Sequence, residues 1–358
     1  MLRRAPSSSE RSAPVRLMLD SGAFSAWKLG RTIDVAQYCD FILANLDWID
    51  TYVALDVIIP DDPEEAAARS FANLRYMLGR GLDPIPVLHA GEKLEWLHRM
   101  LELGCNYVGL SGSSIVARGG VDAWYAAAWQ PMLIDDAPAV KVHAFGEGRP
   151  ASLAAFPWYS ADTASWIHSA ILAGKLQLSN GASIPYGRKS GTEYLAGLSP
   201  DEAAMLEAEL AHDALTMERL QAELTSTDNK VYHSILAHFV IRHYVNIQKQ
   251  VQASLPRKNK YRPLFKHTYA PRTGKRPDDS FSLYLAVSNQ GGNPYGLASA
   301  NRLGHTNILC SYYYIEKTLA GAAFTPERLR LLCTDPDKFF STDADVVPYV
   351  EILKGFGA

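Results

Sequence analysis

Apolar residues along this chain gather in short runs, and each run ends on a polar residue where a strand should stop. "VRLMLD" stops at Asp20, "TYVALDVI" near Asp56, "PIPVLHAGE" at His89, "YVGLSG" at Ser111, "VKVHAFGEG" around His143 and "WYSADTAS" at Asp162. Near-continuous apolar runs of this length suit parallel strands covered on both faces. Helical patterns fill the intervals. The clearest is "DDPEEAAARSFANLRYMLGRG", with Asp62 as cap, Pro63 in the first turn, Glu65 placed for a capping box and Gly81 just past the end. "EKLEWLHRMLELG" closes at Gly104 in the same way. The polar ends lie roughly 20 to 36 residues apart, near the ~30 residues of a strand–helix unit. The pattern predicts an α/β fold of (β/α)8 TIM-like barrel type.

In such a barrel, side chains at the carboxyl ends of the strands converge on one mouth. Asp20, Asp56, His89 and Asp162 would then share a pocket. A strand-end aspartate by itself is ordinarily a turn former or helix cap. Several in one mouth repel one another and cost stability unless they have chemistry to perform. Composition narrows that chemistry. The 358 residues are 47% hydrophobic and 20% charged, enough for a large core, and the net charge of -3 confines any nucleic-acid site to a local patch. The four cysteines, Cys39, Cys105, Cys310 and Cys333, are scattered without a C-x-x-C pair, which predicts reduced, mostly buried thiols. No P-loop, no G-x-G-x-x-G opening a helix and no metal triad is present, so neither cofactor nor metal is expected. The start has arginines but no apolar stretch of signal type, and no run approaches the ~20 residues that cross a bilayer, which predicts a cytoplasmic protein without a membrane partner.

"LDSGAFSAW" resembles the D-S-G-x-F signature of the tRNA-guanine transglycosylases, and the later motifs keep that family's order: Asp56, then His89 to Gly91, Gly109 to Gly112, the turn from His143 to Gly148, and Asp162. "VKVHAFGEG" and "PWYSADTASW" are closer still to the shorter relatives, found in phages and bacterial DNA-modification clusters, that exchange guanine in DNA for a 7-deazaguanine base such as preQ0. The resemblance covers roughly residues 15 to 180. It implies a base exchange through a covalent aspartyl-glycosyl intermediate, with Asp162 as nucleophile on C1′ and Asp20 as general acid/base. It implies Asp56 as the reader of the guanine N1–H and amine. His89 stands where the tRNA enzymes usually carry glutamine, and an imidazole there can donate to O6. The backbone around Leu110 and Ser111 would also reach O6. Phe145 occupies the turn that covers one face of the base in the family, where it either stacks on the base or belongs to the core.

Two features depart from the tRNA enzymes. Their zinc site, three close cysteines and a histidine, has no counterpart, and only about fourteen residues precede Val15 where they carry early barrel strands. The barrel is therefore expected to be irregular or truncated, with its later strands supplied from beyond the first 180 residues: "KLQLS" at 175–179 as a seventh and "SFSLYLAVSN" at 280–289 as an eighth. The expected organisation is a disordered tail at 1–14, the main part of the barrel at 15–190, a helical excursion with a basic segment at 191–276, and a completing part at 277–358. The excursion reads as two helices, the first opened by Ser199, Pro200 and Asp201 and the second carrying His233, His238 and His243 at steps of five, which spread around a helix rather than forming a metal face.

Beyond them, "PRKNKYRPLFKHTYAPRTGKR" at 256–276 holds Arg257, Lys258, Lys260, Arg262, Lys266, Arg272, Lys275 and Arg276, no acidic residue, and three interleaved aromatics. Such a stretch suits phosphate contacts with stacking on unpaired bases; the alternative is a solvated loop. Duplex DNA hides C1′ from a concave pocket, so the partner is single-stranded DNA or a flipped guanosine, together with the free base, and Trp158 and Tyr159 are candidates to help offset unstacking. RNA as the polymer, or a catalytically silent nucleic-acid-binding relative, are the competing readings, and the oligomeric state stays open.

Overall fold

The computed structural model describes residues 15–112, 120–167, 175–178, 183–185, 195–213, 215–254, 281–287, 293–316 and 325–355. Eight strands form one curled sheet: β1 (Arg16–Asp20), β2 (Thr51–Tyr52), β3 (Val87–His89), β4 (Tyr107–Ser111), β5 (Lys141–Phe145), β6 (Ser160–Thr163), β7 (Ser282–Val287) and β8 (Asn307–Ser311). Their order is β2-β1-β8-β7-β6-β5-β4-β3, and every pairing is parallel. The two outermost strands also meet. Val53, just after β2, bridges Ile85, just before β3, with Ala54 N–H donating to the Ile85 carbonyl at 2.8 Å and Ile85 N–H to that of Tyr52 at 2.9 Å. The fold is thus α/β with an eight-stranded parallel sheet, consistent with a TIM-like architecture.

Strand alternation sorts the side chains into two cores. Met18, Val87, Tyr107, Tyr159, Tyr284 and Leu309 belong to a small cluster on the concave side of the sheet. Their neighbours Leu17, Leu19, Val108, Leu110, Val142 and Ala161 belong to the much larger core beneath the helices. Parallel strands wedged between two apolar layers are why the runs read as nearly continuous. The Pro63–Gly79 helix starts as its sequence dictates: Asp62 Oδ1 accepts the Glu65 N–H at 3.0 Å, and Gly81 follows the helix at φ +80°. It buries Leu74 and Met77, each worth about 2 kcal/mol on removal from water.

The order of the later strands differs from expectation. Lys175–Gln177 is a strand, but it pairs antiparallel with Ser183–Pro185 in a separate ribbon. The seventh strand of the eight-stranded sheet, in chain order, is Ser282–Val287, and the eighth is Asn307–Ser311. The first helix of the excursion is also broken, into Pro200–Ala211 and Met217–Leu224. The break sets Asp213 against the long Asn229–Ser254 helix, where it bonds His238 Nε2 at 3.0 Å and the Arg242 guanidinium, while Glu209 meets Arg242 at 3.0 Å. His238 is thereby a structural partner of Asp213. The long helix docks on the start of β7: Gln248 Oε1 accepts the Leu283 N–H at 2.8 Å, and Gln252 donates to the Phe281 carbonyl at 2.7 Å.

Among the described residues, no helix is long and apolar enough to cross a membrane. All four cysteines are free thiols, three of them buried and Cys333 half-buried.

Candidate active site

The end of β1 shows what "LDSGAF" is for. Asp20 is the last strand residue, and the chain turns at once into the short Ala23–Lys28 helix. Gly22 N–H donates to Asp20 Oδ2 at 3.2 Å, and Ala23 N–H donates to Ser21 Oγ at 3.2 Å, so the turn holds its own polar side chains. Gly22 sits at φ +80°, and a Cβ there would come 2.4 Å from Ser311 Oγ and 2.5 Å from Tyr313 Cβ. Only glycine satisfies both the backbone and the approach of the segment after β8.

Across from Asp20 lies a compact ionic cluster. Asp56 accepts the Ser21 hydroxyl at Oδ1 (2.7 Å), and its Oδ2 lies 3.2 Å from His89 Nε2. The other ring nitrogen of His89 is 3.3 Å from Glu92 Oε1, while the backbone N–H of His89 donates to Glu92 Oε2 at 2.9 Å. Burial acts against every charge here, and partners decide the outcome. For His89, burial would lower the pKa, yet the hydrogen bonds and charges of Asp56 and Glu92 push it up to about 10. For Asp56, burial would raise the pKa, yet His89 and then Ser21 hold the carboxyl below its ordinary value. Asp20 has no such cation. Burial, followed by the charges of Asp56 and Asp162, pushes its carboxyl up to about 7.

Asp162 lies one residue before the end of β6. Its Oδ1 accepts the Gly146 N–H at 2.8 Å and lies 3.2 Å from His143 Nε2. Phe145, the last residue of β5, stands edge-on to the His143 ring, with centroids 4.3 Å apart, and occupies the space over Gly109, where a Cβ would come 2.3 Å from its ring.

The expected residues meet around one cavity of about 240 Å³. Asp20, Asp56, His89, Ser111, Phe145 and Asp162 line it, with Ser21, Phe24 and Gly146 among their neighbours. Its size suits a flat fused-ring base better than a bulky ligand. Phe145 is partly buried, packs on the inner core and also lines the cavity. The Leu110 side chain, in contrast, lies fully buried in the outer core, away from the cavity. Trp158 and Tyr159 are not beside the mouth: Trp158 is fully buried against Tyr125 and Trp129, and Tyr159 stacks edge-on to Tyr107 in the inner core. Neither can meet a polymer.

Arg257, Lys258, Lys260, Arg262, Lys266, Arg272, Lys275 and Arg276 fall outside the described residues, as does the segment 1–14. Sequence reasoning missed Glu92 and the role of His143. The signal for Glu92 was "HAGE": Gly91, at φ +106°, reverses the chain so that the carboxylate returns onto His89. Among the described residues, no three of His, Cys, Asp and Glu are placed to hold a metal ion.

Comparison with protein-family models, curated proteins and solved structures found no match to this chain.

Proposed function

We propose that the chain is a (β/α)8-barrel DNA-guanine transglycosylase, which exchanges guanine in DNA for a 7-deazaguanine base. The barrel reading is supported by the Val53–Ile85 bridge, which links the two outer strands of the parallel sheet. The functional reading is carried by one observation: three aspartates meet at a single base-sized cavity with their acidities driven apart, Asp20 upward and Asp56 downward. Environments that separate titratable groups in this way divide them into acid and anion.

In this mechanism the Asp162 carboxylate attacks C1′ as the C1′–N9 bond breaks and its electron pair leaves with guanine. Asp20, half protonated near neutrality, gives its proton to the departing base. The incoming deazaguanine loses its N9 proton to Asp20, attacks C1′ and releases the Asp162 carboxylate, so the enzyme returns unchanged. Asp56, kept anionic by His89, retains a free lone pair on each oxygen for the N1–H and the amine of the base. Ser111 borders the same slot. DNA is favoured over RNA as the polymer because the four free cysteines leave no counterpart of the zinc site of the tRNA enzymes.

Incubation with single-stranded DNA and labelled preQ0 is expected to give labelled polymer, and denaturing gels a protein–DNA adduct. Both should vanish in Asp162→Ala with the fold retained by circular dichroism. Exchange at the wild-type rate in that variant, or exchange on RNA alone, would overturn the assignment.

A further inference from the structure

We propose that His143 is the positioning residue of the nucleophile: a buried hydrogen-bonded chain from Tyr107 through Ser160 and His143 pins Oδ1 of Asp162 and leaves Oδ2 as the oxygen that attacks C1′. The inference rests on the reading of Asp162 as nucleophile and says how that carboxylate is aimed.

Tyr107 OH lies 2.5 Å from Ser160 Oγ, Ser160 Oγ lies 2.6 Å from His143 Nδ1, and His143 Nε2 lies 3.2 Å from Asp162 Oδ1. The four residues come from three neighbouring strands, with His143 paired in register to Ser160, and all occupy positions on the concave side. Tyr107, His143 and Ser160 are essentially inaccessible to water. Phe145, edge-on to the imidazole, lines the cavity and His143 does not, so His143 acts on substrate only through Asp162.

Hydrogen-bonding capacity sets the direction of the chain. An ionised carboxylate accepts only, so His143 Nε2 donates to it. The remaining nitrogen of a neutral imidazole then accepts from Ser160, whose oxygen accepts in turn from Tyr107. Every group donates toward Asp162, and the ring is fixed as its Nε2–H tautomer.

Both contacts of Asp162, from Gly146 N–H and from His143, fall on Oδ1; among the described residues Oδ2 has no partner. When Oδ2 bonds to C1′, Oδ1 becomes the ester carbonyl and keeps both donors. When the incoming N9 attacks, the C1′–Oδ2 bond breaks and its electron pair returns to the carboxylate. A chain anchored on one oxygen thus holds the other at a fixed angle through both half-reactions.

The test has two independent readouts. Nitrogen-15 NMR of histidine-labelled wild type, with the signal assigned by its loss in His143→Gln, is expected to show a neutral ring protonated at Nε2, and Ser160→Ala should shift it to a mixture of tautomers. In single-turnover adduct formation, His143→Leu should slow the reaction about a hundredfold, and His143→Gln, which retains a donor near Nε2, should recover most of it. Affinity for free base should be unchanged in both. An imidazolium or Nδ1–H ring in the wild type would overturn the proposal, as would wild-type rates in His143→Leu or equal defects in Leu and Gln. If the wild type forms no adduct, the transglycosylase reading fails, and the tautomer still decides whether the chain exists.

Discussion

Asp20, Asp56 and Asp162 share one cavity and differ in what their neighbours do to them. Asp20 stands at about 7 when folded against 3.8 when unfolded, so the folded state binds its proton more tightly. Its favourable contribution is therefore full below about pH 4, is lost as pH rises toward 7, and stays lost above. Asp20→Asn removes that loss. Urea unfolding should show the variant more stable than wild type by about 2 kcal/mol at pH 8, after allowance for partial exposure, and little changed at pH 4, although exchange is abolished. Equal differences at both pH values would contradict the shift. Asp56→Asn places an amide donor where the base brings donors, and titration calorimetry should show free-base affinity reduced by about 1 to 3 kcal/mol. The aspartates were legible in the sequence because each ends or follows an apolar run. Glu92 and the role of His143 were not, since each acts through a neighbour that only the strand register or a glycine reversal brings close.

At the level of elements, the punctuation of strand, turn and helix was readable wherever a polar residue separated them. It failed at β8, where "NILCS" ends on Ser311 and passes straight into the Tyr312–Glu316 helix with no glycine or loop residue between them. It failed again at the excursion, where the break before Met217 joins a local cap, Thr216 Oγ1 accepting the Arg219 N–H at 3.2 Å, to the buried partnership of Asp213 with another helix. That partnership is testable. Asp213→Ala would leave Arg242 and His238 facing each other among buried side chains, at a cost of about 3 kcal/mol, visible as a lower urea midpoint; an unchanged midpoint would mean the network is dispensable. Gly22→Ala combines a positive φ with contacts that have no room to yield. A loss of about 2 kcal/mol or more, with weakened exchange, is expected from thermal unfolding and activity measured together.

For the whole molecule, base recognition and polymer binding are expected to separate. Replacing Lys258, Lys260, Arg262 and Lys266 by glutamine should weaken single-stranded DNA binding and flatten its dependence on log salt by about 3, while affinity for the free base holds. Parallel slopes would return the segment to an ordinary solvated loop. A second consequence belongs to the pairing of β1 with β8. Synthesis delivers residues 16 and 311 on the order of 15 to 60 seconds apart, and throughout that interval one edge of β1 has no neighbour. Such an open edge invites association between nascent chains. The turn that carries Asp20 is itself packed against Ser311 and Tyr313, so Asp20 takes its place only after those residues leave the ribosome. A growing chain therefore carries Asp162 on β6 long before the cavity it lines with Asp20 can be complete.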